Sequence, residues 1–424
     1  MMKTTHRVLA GSVTLLTIFL SGCTTPRIVS RTASRDHAYI KYWPPSDTAR
    51  TRVAVKDLID MEGVVTTAGS EFFAKTGSPA ARDAECLRSV RSGNVQIVGK
   101  TNLTELAVGV SGINDYFGTP KNPVNPKRRL IPGGSSSGSA VAVVNGTADI
   151  AIGTDTAGSV RVPAACCGIV GLKTTFGLIS LKGVHPISPN HLDTVGPMAK
   201  DVAHTVQGMD LLQPGFAARY RSAVAAKPSA RMIKVGRLTL PGTSATVNRA
   251  VDDALARTGF KVVALDKSFQ EKWTRAERDA KTVAAAGAWL SDQKLLIVPG
   301  VTARTKAIMA LGAFAYQTNY RAALRRKADW QAALRRVFEK VDFIALPTLQ
   351  TVPPKVPFFG GTAAFEALVL GSQNTAAVNL AGNPAVAIPI PVDDRTVAVS
   401  SLQLVGPRLS EAALLNAARL VEAQ

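Results

Sequence analysis

Two glycine- and serine-rich stretches constrain this chain more than any other feature. They are Gly133-Gly134-Ser135-Ser136-Ser137-Gly138-Ser139-Ala140 and Gly153-Thr154-Asp155-Thr156-Ala157-Gly158-Ser159. Between them, residues 141–146 read as a buried helix and residues 148–152 as a short strand. An excursion of that kind folds back on itself and returns the second stretch to the first. Small residues at both ends let backbone approach a ligand closely and permit dihedrals closed to larger residues. The pattern points to a site built from backbone groups and hydroxyls.

The first residues have a different character. Lys3, His6 and Arg7 form a basic segment, and residues 8–20 form an apolar run too short to span a bilayer as a helix. The run ends in Leu20-Ser21-Gly22-Cys23, which resembles the lipobox of bacterial lipoproteins, where the cysteine carries the lipid and becomes the mature N-terminus. The expectation is a signal peptide over 1–22 and a tether and lead-in over 23–50, with Cys23 anchoring the chain to a membrane without spanning it. That places the protein on the periplasmic side of a bacterial envelope, and Thr24 favours the outer membrane over the inner.

Composition narrows the partners. Apolar residues make up 46% of the chain, enough for a sizeable core. Beyond Cys23 the cysteines are Cys86, Cys166 and Cys167, with neither a disulfide framework nor the spacing of a zinc site, so no metal or other cofactor is expected. The net charge of +20 is spread along the chain. Its main cluster, Arg321, Arg325, Arg326 and Lys327 with Arg335 and Arg336, sits at helical spacing and reads as a solvated face. This argues against nucleic acid and suits attraction to anionic lipid or envelope polymer.

From residue 51 onward, apolar β-rich runs alternate with amphipathic helical patterns. Strands are expected at 53–55, 95–98, 149–152, 233–237, 261–265, 343–346, 385–390 and 397–404. Helices are expected at 80–92, 202–212, 245–258, 274–291, 302–341, 363–379 and 410–423. The alternation predicts an α/β sandwich around a largely buried sheet. Periodicity is poorest over 214–300, which reads as a variable subregion.

The chemistry is found partly by elimination. Gly134-Ser135-Ser136-Ser137-Gly138 fits the spacing of a nucleophile elbow, but no strand precedes it. The histidines that follow, His185, His191 and His204, come too soon after it to complete the usual triad. Gly99-Lys100-Thr101 resembles the end of a phosphate-binding loop, but position 94 is Asn94 where that loop needs glycine. A serine nucleophile then needs another base. A lysine serves if burial lowers its pKa from about 10.4 towards neutrality. Lys56 and Lys100 both follow apolar β-rich runs, and the residues alone do not separate them.

The chain resembles the amidase signature family. The resemblance runs through 132–140, 153–164 and 168–174, and continues at 193–198, 379–385 and 403–407. It implies an α/β/α sandwich with a large mixed central sheet over 51–424, and hydrolysis of a linear carboxamide to a carboxylate and ammonia or an amine. It also implies a Ser–cis-Ser–Lys triad: Ser159 as nucleophile, Ser135 after a cis Gly134–Ser135 bond as bridge, and Lys56 as base, with Lys100 structural. The backbone of Thr156, Ala157, Gly158 and Ser159 would form the oxyanion hole. Thr154 and Asp155 would brace that loop, and Arg161 would hold a structural carboxylate.

Two departures from the family pattern stand out. Ala157 occupies a position where the family usually has glycine, which would reshape the oxyanion loop. The N-terminal region is shortened to residues 24–50, which opens one side of the cleft or removes a dimer contact, so a homodimer stays open. Two rival readings accompany the amidase: a subunit of a glutamine-dependent transamidation complex, and a catalytically silent lipid-anchored binding protein.

Overall fold

The alternating runs form one eleven-stranded mixed sheet. The computed structural model describes residues 35–358 and 360–424; the expected signal peptide, Cys23 and the first part of the expected tether lie outside the described residues. In chain order the strands are β1 (Tyr39–Tyr42), β2 (Thr51–Lys56), β3 (Val95–Thr101), β4 (Ile150–Asp155), β5 (Val170–Lys173), β6 (Thr194–Ala199), β7 (Lys234–Arg237), β8 (Lys261–Ala264), β9 (Phe343–Pro347), β10 (Ala385–Pro391) and β11 (Val399–Val405). Across the sheet they run β1-β3-β2-β4-β6-β5-β10-β11-β9-β7-β8.

Side-chain alternation explains the layers. Val53 and Val55 of β2, with Ile150 and Ile152 of β4, pack with residues of the helices Val202–Leu212, Ala245–Thr258 and Glu411–Glu422. Ala54 and Ala151 point the other way and pack with the helices Ser137–Val144 and Arg161–Cys167. Further along the sheet, Ile344 and Leu346 of β9 meet Phe269 and Trp273 of the Lys267–Asp292 helix, and Trp330 of the Tyr320–Phe338 helix. Helices therefore cover both faces, as expected where strands are apolar on both sides.

The same period of two sets the site. Lys56 shares the parity of Ala54, so it projects towards the two short helices that follow the serine stretches. β2 runs parallel to β4, with Val53, Ala54 and Val55 beside Ile150, Ala151 and Ile152. Lys56 and Asp155 thus end neighbouring parallel strands, where α/β sheets place their ligands.

Each expected strand is present, with ends shifted by up to three residues. β1, β5 and β6 have no counterpart among the expected strands. β1 lies within the expected lead-in and pairs antiparallel with β3 at the sheet edge. The helix expected at 302–341 is two helices, Ala303–Thr318 and Tyr320–Phe338, broken at Asn319, which leaves the helical region at φ −120°. The one expected at 363–379 is also two, Ala363–Gly371 and Ala376–Ala381. Here residues 372–375 leave the helix because Asn374 N–H donates to the Thr348 carbonyl and Leu349 bridges to Gln373. Of the helix expected at 80–92, the first five residues are non-helical; a 3₁₀ turn, Glu85–Leu87, then leads into the helix Arg88–Ser92. The poorly periodic region is regular: β7, β8 and the helices Phe216–Ala226, Ala245–Thr258 and Lys267–Asp292 fill it. The last of these starts seven residues before the expected point, because Asp266 caps it by accepting the Phe269 N–H at 2.8 Å.

Candidate active site

Lys56, at the end of β2, is fully buried. Its Nζ lies 2.7 Å from Ser135 Oγ and 2.8 Å from Thr154 Oγ1. Burial lowers its pKa to about 7, against the opposing attraction of Asp155 and Asp193. An amine in that state is partly free base at neutral pH.

Lys100 has a different environment. It is buried in an ion pair with Asp57 at 3.0 Å, and it also donates to the Ile59 carbonyl at 2.5 Å and Thr66 Oγ1 at 3.2 Å. Parallel pairing sets Val55 beside Lys100, so the two lysines project from different register positions. The structure separates the two residues that the sequence leaves equal. His185 and His204 pair with Asp292 and Asp201, and neither hydrogen-bonds a serine.

Ser135 follows a cis Gly134–Ser135 peptide bond, and its carbonyl accepts the Thr104 N–H at 3.1 Å. The two serine stretches meet through backbone: Ser136 N–H donates to the Ser159 carbonyl at 3.2 Å. Ser136 Oγ also donates to the Thr154 carbonyl at 3.3 Å. Ser135 and Ser159 share no side-chain hydrogen bond; Ser159 Oγ has no hydrogen-bond partner among the described residues.

The loop before Ser159 is held from beneath. The Asp155 carboxylate accepts N–H groups from Gly158 at 2.8 Å and Val160 at 3.1 Å. Arg161 clasps the same carboxylate through Nε at 3.0 Å and Nη2 at 2.9 Å, and donates further to the Thr375 carbonyl, Gln403 Oε1 and Asn379 Oδ1. Burial alone would raise the Asp155 pKa; the Arg161 charge and hydrogen bonds outweigh it and hold it at about 2. Arg161 has no exposure, and its guanidinium is spent on these contacts within the protein.

Of the four N–H groups expected in an oxyanion hole, that of Gly158 is thus engaged by Asp155. Those of Ala157 and Ser159 donate to no described residue. The Thr156 hydroxyl donates to Asp193 at 2.8 Å, and Asp193 also accepts the Ile187 and Ser188 N–H groups, both at 2.9 Å. Gly158 stands at φ +137°, and a Cβ there would meet Thr375 Oγ1 at 2.3 Å, so glycine is required. Ala157 lies outside the positive-φ region, so its methyl group needs no strained backbone. Its carbonyl is fixed by Thr375 Oγ1 at 2.6 Å and Gln373 Nε2 at 3.1 Å.

Sequence reasoning misses several of these residues. Asp193, Asn379 and Gln403 lie in stretches that carry the resemblance but receive no role from it. Thr375 and Gln373 lie in the segment read as continuous helix. Their signal is the polar run Ser372-Gln373-Asn374-Thr375 inside an otherwise apolar pattern.

An apolar cavity of about 190 Å³ opens beside Ser159, bordered also by Thr156 and Ala157. Among the described residues no cluster of His, Cys, Asp and Glu has the form of a metal site, and no helix is long and apolar enough to cross a membrane.

The family model described as Amidase matches residues 52–415. A glutamyl-tRNA(Gln) amidotransferase subunit of Halobacterium salinarum is 32% identical over 422 residues, covering 88% of this chain and 95% of its own. 2-Amino-5-chloromuconic acid deaminase of Comamonas testosteroni is 34% identical over 390 residues, covering 88% and 80%. Among solved structures, the corresponding glutamyl-tRNA(Gln) amidotransferase subunit of Thermotoga maritima superposes with a TM-score of 0.72 at 26% identity, covering 88% of this chain and 83% of that one.

Proposed function

The chain belongs to the amidase signature family and is an amidase, and from that premise we propose that Ser159 is its nucleophile, with Ser135 and Lys56 as the proton relay. The observation that carries this is the buried Lys56 amine, 2.7 Å from Ser135 Oγ on the strand beside the Ser159 loop. Neutral Lys56 takes the Ser135 hydroxyl proton as Ser135 takes that of Ser159, and Ser159 Oγ adds to the amide carbonyl. The oxygen that becomes negative is met by the N–H groups of Ala157 and Ser159, with Thr156 and Gly158 completing the loop. Each such donor commonly contributes about 3 kcal/mol to lowering a barrier. The proton returns through Ser135 to the departing nitrogen. Water then releases the acyl group from Ser159.

Gly134, Asp155 and Arg161 support the geometry without touching substrate. The test is ammonia release from small amides by the purified protein. Ser159→Ala is expected to reduce turnover to background with the fold intact by circular dichroism; wild-type turnover in that variant would refute the assignment.

The second reading, an amidotransferase-like subunit, is favoured by the relatives of that name. It uses the same serine on glutamine and differs in needing a partner to accept the ammonia. We further propose that the mature chain begins at a lipid-bearing Cys23 and resides on the periplasmic side of the envelope, the outer membrane before the inner. The support is the basic segment, the apolar run of 8–20 and the Leu20-Ser21-Gly22-Cys23 sequence.

A further inference from the structure

The cavity beside Ser159 has chemistry that the reaction alone does not explain. Besides Ser159, its polar lining is limited to Thr156, Lys281 and Glu366; every other lining residue is apolar or glycine. All three of those groups are already engaged. The Thr156 hydroxyl donates to Asp193. Glu366 accepts the Val110 and Ser111 N–H groups at 2.9 and 3.0 Å, and the Ser111 hydroxyl as well. Lys281 faces Glu277 at 3.4 Å, one turn earlier on its own helix. Apart from the Lys281 ammonium, which already faces a carboxylate, no charged group is left over for an ionic substrate.

The cavity also lies on one side of the nucleophile. It touches Ser159, Thr156 and Ala157 but neither Lys56 nor Ser135. A leaving nitrogen protonated through Ser135 departs on the Ser135 side. The cavity therefore receives what remains bonded to Ser159, the acyl group. Resting on the nucleophile assignment above, we infer that the enzyme acts on amides of uncharged aliphatic or simple aromatic acids, and that the helix Lys267–Asp292 sets the length of the acyl group through Ala284, Ala285 and Ala288.

The size follows from packing. A dry apolar cavity of about 150 Å³ accommodates benzene. One of about 190 Å³ therefore takes about six to eight heavy atoms. The walls do not relax easily. At Gly312 on the Ala303–Thr318 helix, a Cβ would meet the Ala285 carbonyl at 2.2 Å, so the two helices lie in close contact. Leu311, 61% exposed yet lining the cavity, stands at its mouth. The α-ammonium of glutamine would be desolvated there without a free acceptor, because Glu366 is already taken.

The experiment is kcat/KM for straight-chain primary amides from acetamide to decanamide, with glutamine and the monoamide of glutaric acid alongside. The expected profile rises about fourfold per methylene and stops rising at about eight carbons. Glutamine and the glutaric monoamide are expected about 100-fold or more below hexanamide. Ala284→Leu should lower the octanamide-to-acetamide ratio about tenfold. Leu311→Ala, at an exposed position that folding tolerates, should lower it about fivefold. A flat profile, glutamine turned over as well as hexanamide, or ratios unmoved in both variants would overturn the inference. Labelling the same preparation with a small fluorophosphonate separates the two claims. No adduct at Ser159 removes the nucleophile and the acyl pocket with it. An adduct together with a flat profile removes the pocket assignment alone.

Discussion

At the scale of single residues, the proposed chemistry depends on a lysine deprived of water. Lys56 has no exposure and two hydroxyl neighbours, and its pKa falls to about 7. Only the free base accepts a proton, so kcat/KM is expected to rise with pH through about 7 and to fall away in acid. The same shift acts on stability with a definite sign. Between about 7 and the ordinary lysine value the unfolded chain holds a proton that the folded one lacks, so this group makes folding more favourable as pH rises across that window. Lys56→Met removes the base and the cost of burying an ammonium together. It is expected to lower kcat/KM about 10³-fold while Tm holds or rises. A large fall in Tm would make Lys56 a structural cation instead. Lys100 is the contrast: a lysine of the same sequence appearance, held in a closed ion pair with Asp57. Residue type and flanking pattern do not distinguish the two, because what differs is the neighbour across the sheet.

At the scale of elements, the site is a set of loops pinned by buried charges. Asp155 and Arg161 tie the Ser159 loop to residues 375, 379 and 403, which reach it from a distant part of the chain. Glu105 accepts the Thr302 N–H and the hydroxyls of Thr302 and Thr305, fixing the start of the Ala303–Thr318 helix. Glu277 accepts the Ala376 and Ala377 N–H groups. Asp155→Asn leaves Arg161 buried without its counter-charge and is expected to destabilise the fold by about 3–5 kcal/mol, read as a lowered denaturation midpoint. Because Asp155 is held at about 2, the stability it contributes is present above the ordinary carboxylate pKa and is lost as pH falls through about 2. The wild-type protein should therefore keep this contribution at pH 5, and the Asn variant should be the weaker of the two there.

These elements also show what the sequence discloses. Strands such as β2, β4 and β10 are readable because apolar β-branched runs have one reasonable fate. β5 and β6 are not, because Val170-Gly171-Leu172-Lys173 and Thr194-Val195-Gly196-Pro197 carry glycine, proline and a buried lysine that mask the pattern. The helix break at 372–375 is hidden for a tertiary reason. It is made by bonds to Ala157 and Thr348, residues invisible from within the segment. Ser159 and Ser135, the proposed nucleophile and bridge, stand out in the sequence because small residues cluster where backbone must approach closely. The residues that orient them are not, because a single Asp, Asn or Gln has many uses.

At the scale of the whole molecule, one sheet brings together residues from 56 to 403 around Ser159. β1, Tyr39–Tyr42, pairs at the edge of the sheet, so residues from 39 onward belong to the folded body and not to a tether. Cys23→Ser is expected to abolish incorporation of labelled palmitate in bacterial cells and to release the protein from the membrane fraction, leaving the amidase activity of the purified protein intact. Membrane retention without label would point to charge alone, given the net charge of +20. The whole mechanism rests on an unprotonated Lys56 that, acting through Ser135, makes Ser159 nucleophilic. The most direct test is the rate at which a fluorophosphonate attaches to the protein as pH is varied, with the modified residue located by peptide mass spectrometry. The expected result is an adduct on Ser159 whose formation rises through about pH 7 and is lost in Lys56→Met. An adduct on another residue, or labelling of Ser159 that neither pH nor the Lys56 substitution alters, would contradict it.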